Sequence, residues 1–149
     1  MTKTPILIFF LTVFGFSCSN NNYTEVDDFS VIIIHDDDYS KHYKTYTPTP
    51  EDISKGLELL GNEISMSKEF DGISMSSDIL NHVYKQYLGY YENGNRMILI
   101  NCLCELFESP DGVDYFHQGL EMPDDGGICY FRGYVDLTNG KCKLMVNGN

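Results

Sequence analysis

The chain has 149 residues, 22 acidic against 10 basic side chains, a formal charge of −12 at neutral pH, and 11 tyrosines with no tryptophan. That balance excludes nucleic acid and argues against adhesion to anionic lipid, because both rest on Lys and Arg neutralising phosphate. The length fits one ordinary domain, with no internal repeat and no second linker.

Lys3 precedes an apolar run from Pro5 to Phe14, followed by Gly15, Phe16, Ser17 and Cys18. The run is too short to cross a bilayer core of ~30 Å as a helix, and small residues stand three and one before the cysteine. Residues 1–17 are therefore expected to be a bacterial secretory signal peptide. Cys18 is the expected lipid-attachment site, carrying palmitate-type acyl chains that hold the protein on a membrane of the cell envelope, at the outer membrane or the periplasmic face. The small-x-small pattern Gly15-x-Ser17 also suits ordinary signal peptidase, which would cut at the same bond and release a secreted protein; an uncleaved anchor is the third option. Residues 18–29 read as a polar tether. Residues 30–149 read as a single domain.

Within that domain, Ser30–Ile34 is a β-branched run expected to form a strand packed on both faces, ending at His35-Asp36-Asp37-Asp38. Tyr39, Tyr43 and Tyr46 alternate with Lys41, His42 and Lys44 in an exposed connector, which continues through Pro48 to Pro50. Thr49-Pro50-Glu51-Asp52 predicts a helix start, with an N-cap hydroxyl, proline in the first turn and acids beside it. Ile53, Leu57, Leu60 and Ile64 recur at helical spacing and form a core stripe, while Gly56 and Gly61 weaken the helix. Ser77-Asp78 opens a second short helix through Ile79, Leu80 and Val83. Glu92-Asn93-Gly94-Asn95 predicts a tight turn joining a strand at Gln86–Tyr91 to one at Met97–Phe107. A long loop, 108–123, leads through Asp124-Asp125-Gly126-Gly127 to strands at 128–137 and 141–146, joined at Asn139-Gly140. Helices first and strands after indicate an α+β fold, with one or two N-terminal helices on a curved antiparallel sheet of four to five strands.

Beyond Cys18, four cysteines remain: Cys102, Cys104, Cys129 and Cys142. Strand parity points Cys102 and Cys104 to one face, Cys129 to the face of Phe131, Val135 and Leu137, and Cys142 to the same side, opposite Leu137 if Asn139-Gly140 is a two-residue turn. In an oxidising envelope compartment at least one disulfide among the four is expected, with the pairing open; buried reduced thiols are the alternative. Cys-x-Cys on a strand does not make the tight knuckle of a zinc site, so no metal is assigned there.

Two surfaces remain for function. Tyr130, Arg132 and Tyr134 share the outer sheet face, and amphipathic aromatics beside arginine are the material of binding surfaces; equally, a second layer of structure would make them core edge. Asp111, Asp114 and His117 lie on one loop and are the weak candidates for a metal or acid–base site, with Asp124 and Asp125 within reach; a polar surface loop explains them as well. The His35–Asp38 run lacks the ligand spacing of a calcium loop and reads as a solvated strand end. His42 and His82 have no triad context. No phosphate loop, serine elbow or paired-acid motif is present, so no catalytic residue is assigned.

Gln86-Tyr87-x-Gly89-Tyr90, Ile100-Asn101-Cys102, Asp125-Gly126-Gly127-x-Cys129-Tyr130-Phe131 and Val146-Asn147-Gly148 resemble small secreted or lipid-anchored proteins of unassigned function from Bacteroidetes-type bacteria. The resemblance covers residues 84–148. It implies a compact α+β domain with a closing hairpin and brings no activity with it. The leading expectation is a non-catalytic binding domain of an envelope lipoprotein, without cofactor, taking a protein or glycan partner through the tyrosine-bearing face or the 108–124 loop. The alternative is a small metal-dependent or acid–base hydrolase built on Asp111, Asp114 and His117. A purely structural role is the third.

Overall fold

The computed structural model describes residues 22–67, 77–106, 112, 114–120 and 129–146; Cys18, the signal segment, Asp111, Asp124 and Asp125 lie outside them. The long helix α2 (Pro50–Met66) forms where its sequence signals place it. Thr49 Oγ1 accepts from Asp52 N while Asp52 Oδ2 accepts from Thr49 N, a complete capping box, and Pro50 occupies the first turn. Ile53, Leu60 and Ile64 are buried along one stripe of this helix.

That stripe lies on a sheet of seven strands: β1 (Tyr23–Asp27), β2 (Ser30–Ile33), β3 (Lys44–Tyr46), β4 (Tyr84–Glu92), β5 (Asn95–Leu103), β6 (Tyr130–Asp136) and β7 (Lys141–Val146). Their order is β1-β2-β4-β5-β6-β7, and β3 shares with β2 the same edge of β4. β2 pairs parallel to the start of β4, Ser30 beside Lys85 and Ile32 beside Tyr87. β3 pairs antiparallel to its end, Lys44 beside Tyr91 and Tyr46 beside Gly89. Among the described residues two short helices join these elements, α1 (Asp37–His42) and α3 (Tyr115–Gln118), with a 3-10 turn at Ser77–Asn81.

The α+β class holds, but the sheet is mixed and larger than the sequence predicts. The parallel pair arises because the chain leaves β2 and returns to β4 only after α2 has crossed one face, a connection long enough for parallel strands. Tyr23–Asp27, assigned to the tether, is a strand: it pairs with β2, and Phe29 N donates to Asp27 Oδ1 in the turn between them. The connector after β2 is likewise structured. Asp36 caps α1 by accepting from Asp38 N and Tyr39 N, and the helix carries Lys41 and His42 in its last turn. The second predicted helix is cut to a 3-10 turn, because Lys85 at the start of β4 reaches back to bond the carbonyls of Leu80 and Val83 at 2.9 and 2.8 Å.

Asn93 and Gly94 both have positive φ, 51° and 82°, as the predicted two-residue turn requires. Asn139-Gly140 behaves differently. Asp136 pairs with Lys141, so the connection has four residues, and Cys142 faces Val135 rather than Leu137. Two hydrogen bonds from Asn139 to the Asp136 carboxylate hold this longer turn.

The sheet is buried on both sides. Toward α2 lie Ile98, Ile100, Cys102, Phe131, Val135 and Val146. Leu60 sits over Gly133, where an added Cβ would come within 2.8 Å of the leucine, and Gly56 lets the helix approach Ile98 and Ile100. The opposite face carries Val31, Ile33, Leu88, Tyr90, Leu99 and Tyr130, under α1 and α3. A disulfide joins Cys104 to Cys129, one position beyond the Leu103–Tyr130 pair, with Cα atoms 5.2 Å apart. Closing a span of 25 residues, it stabilises the fold by about 3 kcal/mol on the chain-entropy account. Cys102 and Cys142 are free. Cys129 departs from its predicted face: it stands before β6 begins, where strand alternation no longer applies, and packs with the Tyr130 side of the sheet.

Candidate functional site

On the face away from α2, strand register lines side chains up in rows across β4, β5, β6 and β7. The first row, Tyr84, Leu103 and Tyr130, is apolar and aromatic. The second is Gln86, Asn101, Arg132 and Met145; the third is Leu88, Leu99, Tyr134 and Lys143; the fourth is Tyr90, Met97, Asp136 and Lys141. Tyr130, Arg132 and Tyr134 thus share one face, as expected, but belong to three different rows with different surroundings.

Tyr130 and Arg132 are covered, with relative exposures of 7% and 5%. Arg132 Nε donates to Asn101 Oδ1 at 3.0 Å, Asn101 Nδ2 donates to Gln86 Oε1 at 2.8 Å, and Gln86 Nε2 donates to the carbonyls of Phe116 and Gly119. This buried relay fastens α3 to three strands. The anticipated open surface of Tyr130 and Arg132 is therefore corrected: both side chains are buried, and Arg132 is held in a polar relay with Asn101 and Gln86.

Tyr134 is different. It remains partly exposed and lines a groove of about 600 Å³ with Tyr39, Tyr43 and Tyr90. Helix α1 delivers Tyr39 and Tyr43 onto the sheet, where their rings meet Tyr90 at 5.4 and 5.0 Å between centroids. Tyr90 is 3% exposed and anchors the group, and Tyr43 Oη donates to Glu92 Oε1 at 3.3 Å. The rim carries Glu92 and Asp136 with Lys141 and Lys143.

The hydroxyls of Tyr39, Tyr43 and Tyr90 are held above the ordinary tyrosine range. Desolvation and then the neighbouring hydroxyls of Tyr134 and Tyr90 push Tyr39 up, desolvation and then Glu92 push Tyr90 up, and the Glu92 carboxylate raises Tyr43. Asp136 is held below its ordinary value, first by the side-chain bond from Asn139. The groove therefore offers aromatic faces, neutral hydroxyls, two carboxylates and two ammonium groups. Composition flags the tyrosines and strand parity puts Tyr134 on this face; Tyr90 lies in a predicted strand with no sign of the groove, and Tyr39 and Tyr43, read as an exposed connector, need α1, whose Asp36 cap is the signal that would find it.

The Asp114–His117 pair is present: Nδ1 of His117 meets Asp114 Oδ2, with Asp114 exposed and the imidazole tilted against Tyr23 at 4.4 Å between centroids. Among the described residues no group of three or more His, Cys, Asp and Glu is placed to hold a metal. His35, also proposed as a strand-end residue, bonds Asp37 and Ser40 across the start of α1. Asp36 Oδ2 accepts from Leu120 N, tying α1 to the segment after α3. The free thiols are shielded: burial and then the Cys142 neighbour raise Cys102 beyond its ordinary range despite Lys85, and burial with Glu63 pushes Cys142 up to about 12. Neither is an activated nucleophile.

A second groove, of about 640 Å³, runs between α2 and the β1–β2 turn, lined by Phe29, Leu57, Leu80 and Tyr87. No helix among the described residues is long and apolar enough to cross a membrane. Comparison with known proteins finds no matching family, no matching curated protein and no matching solved structure.

Proposed function

We propose that this chain is a bacterial envelope lipoprotein, anchored through Cys18, whose domain is a non-catalytic binding module for a protein or glycan. The observation that carries the reading is the open groove of Tyr39, Tyr43, Tyr90 and Tyr134, whose rings are fixed before any ligand arrives. Side chains already ordered lose little entropy on binding, and tyrosine supplies apolar area and a hydrogen-bonding tip together. The anchor rests on the Lys3, Pro5–Phe14 and Gly15–Cys18 pattern, and the likeness of residues 84–148 to small anchored Bacteroidetes-type proteins agrees with it.

Crosslinked capture from the envelope fraction tests the module: Tyr43→Ala with Tyr134→Ala should abolish a partner that Asp114→Ala with His117→Ala retains. The hydrolase alternative keeps one favourable observation, the Asp114–His117 pair. It gains the argument if Asp114→Ala or His117→Ala removes a measurable hydrolytic activity and the tyrosine variants do not. Mass spectrometry of the peptide beginning at Cys18 decides the anchor; an unacylated cysteine rejects it.

A further inference from the structure

Resting on the reading of the tyrosine groove as the binding site, we infer that its ligand is an uncharged oligosaccharide. The first argument is charge. The chain as a whole carries −12, yet the groove pairs two carboxylates, Glu92 and Asp136, with two lysines, Lys141 and Lys143, and is formally neutral. Asp136 and Lys141 are direct cross-strand neighbours, so the cancellation is built into the register. A cationic partner would be met better almost anywhere else on this acidic surface, and an anionic one would face the field of the whole chain. A neutral ligand suffers neither disadvantage.

The second argument is the chemistry of the lining. A pyranose ring has apolar C–H faces and a belt of hydroxyls that both donate and accept. Tyrosine rings cover the faces, carboxylates accept from hydroxyls, and ammonium groups donate to them. The groove brings these three group types together on rows three and four of the sheet face and at the adjoining end of β4, within the ~300–1,000 Å³ of ordinary small-ligand sites. The third argument is rigidity: Tyr90 is buried, and its T-shaped contact with Tyr39 and the bond from Tyr43 to Glu92 hold the walls in place. A flexible, multi-hydroxyl ligand binds weakly unless its site is ordered beforehand.

The experiment is titration of the soluble chain from Ser19 onward, retaining the full domain, with uncharged gluco-, manno-, galacto- and xylo-configured hexasaccharides, followed by calorimetry and backbone amide shifts. Binding of one of them, with shifts at Tyr43, Tyr90 and Tyr134 and a loss of roughly ten-fold or more in Tyr134→Ala, supports the inference. Affinity should hold from roughly 0.05 to 0.5 M salt, since an uncharged ligand has no charge for ions to screen. Tyr134→Phe, which keeps the ring and the packing, guards against misfolding of the alanine variant and should lose less. Binding only of sulfated oligosaccharides or of lysine-rich peptides overturns it, as does failure of all four sugars, or sugar binding that Tyr134→Ala in a folded domain leaves intact. The two levels separate cleanly: if sugars fail while captured partners still depend on Tyr43 and Tyr134, the ligand class is wrong and the groove stands. If capture is indifferent to those tyrosines, the groove itself is wrong.

Discussion

The two faces of the central strands are buried by opposite means. Toward α2, Ile98, Ile100, Phe131 and Val135 meet Ile53, Leu60 and Ile64 in an almost wholly apolar layer, with Lys85 at its margin bonded to two carbonyls. On the other side the same strands present Gln86, Asn101 and Arg132 at 0%, 2% and 5% exposure, joined by directional bonds, and then a cluster of tyrosines. An apolar layer asks only for volume and shape, whereas a polar relay specifies which carbonyl meets which amide. The α2 face therefore supplies cohesion. The opposite face fixes the positions of α1 and α3, and with them the groove.

The contrast is sharpest at Leu60, which is fully buried over Gly133. Leu60→Ala should cost about 3–4 kcal/mol, the lost transfer energy plus the cavity, since Gly133 has no side chain with which to fill the space. Urea unfolding measures it. A cost below about 1 kcal/mol would mean that α2 merely rests on the sheet, and the division of labour between the faces would fail.

Asn101→Ala tests the other means. It removes an acceptor from Arg132 and a donor from Gln86 at once, and should cost about 2 kcal/mol with no comparable cavity. Its signature is local. Gln86 loses the bond that orients it toward Phe116 and Gly119, so the amides of α3 should exchange faster relative to those of β5, while Leu60→Ala should speed both in proportion. Hydrogen exchange followed residue by residue distinguishes the two patterns, and uniform loss of protection in both variants would erase the comparison.

What was legible in the sequence divides along the same line. The elements of the α2 face are set by local signals: the Thr49 cap, the stripe of Ile53, Leu60 and Ile64, and Asn93-Gly94 between β4 and β5 all act within a few residues. The disulfide was expected from the cysteine set, but its pairing depends on the register of β5 against β6. The opposite face depends on non-local pairing throughout. β1 is polar and forms because β2 lies beside it; β3 exists because β4 is long enough to accept a second partner on one edge. Arg132 sits in an alternating strand, where polar residues normally face water, and nothing in its neighbours reveals that it will be buried and bonded to Asn101. Tyr134, two residues on, has the same sequence signature and a different fate: it stays partly exposed and lines the groove with Tyr39, Tyr43 and Tyr90.

Asp136, at the rim of the groove, belongs to neither core and should show the smallest effect. Its carboxylate accepts two bonds from Asn139 and one from Asn95 at 3.1 Å; the Asn139 side chain first, with the backbone of Asn139 and Thr138 and the charge of Lys141, holds its pKa below the ordinary 3.8. A folded pKa below the unfolded one means that the stabilisation is fully present above the unfolded value and is lost as pH falls through it toward the folded value. The Asp136→Asn variant should thus melt slightly below the wild type at neutral pH and converge with it as the pH falls below the ordinary 3.8 through the folded-state pKa. The difference should stay below about 1 kcal/mol, because the carboxylate is open to solvent and screened. Melting followed from acid to neutral pH checks the sign and the size together. A loss as large as that of Leu60→Ala would show the β6–β7 turn to be part of the apolar core. A small loss confined to the carboxylate's own titration range leaves Asp136 free to do two jobs, closing the turn with some of its lone pairs and offering the rest to whatever lies against Tyr134.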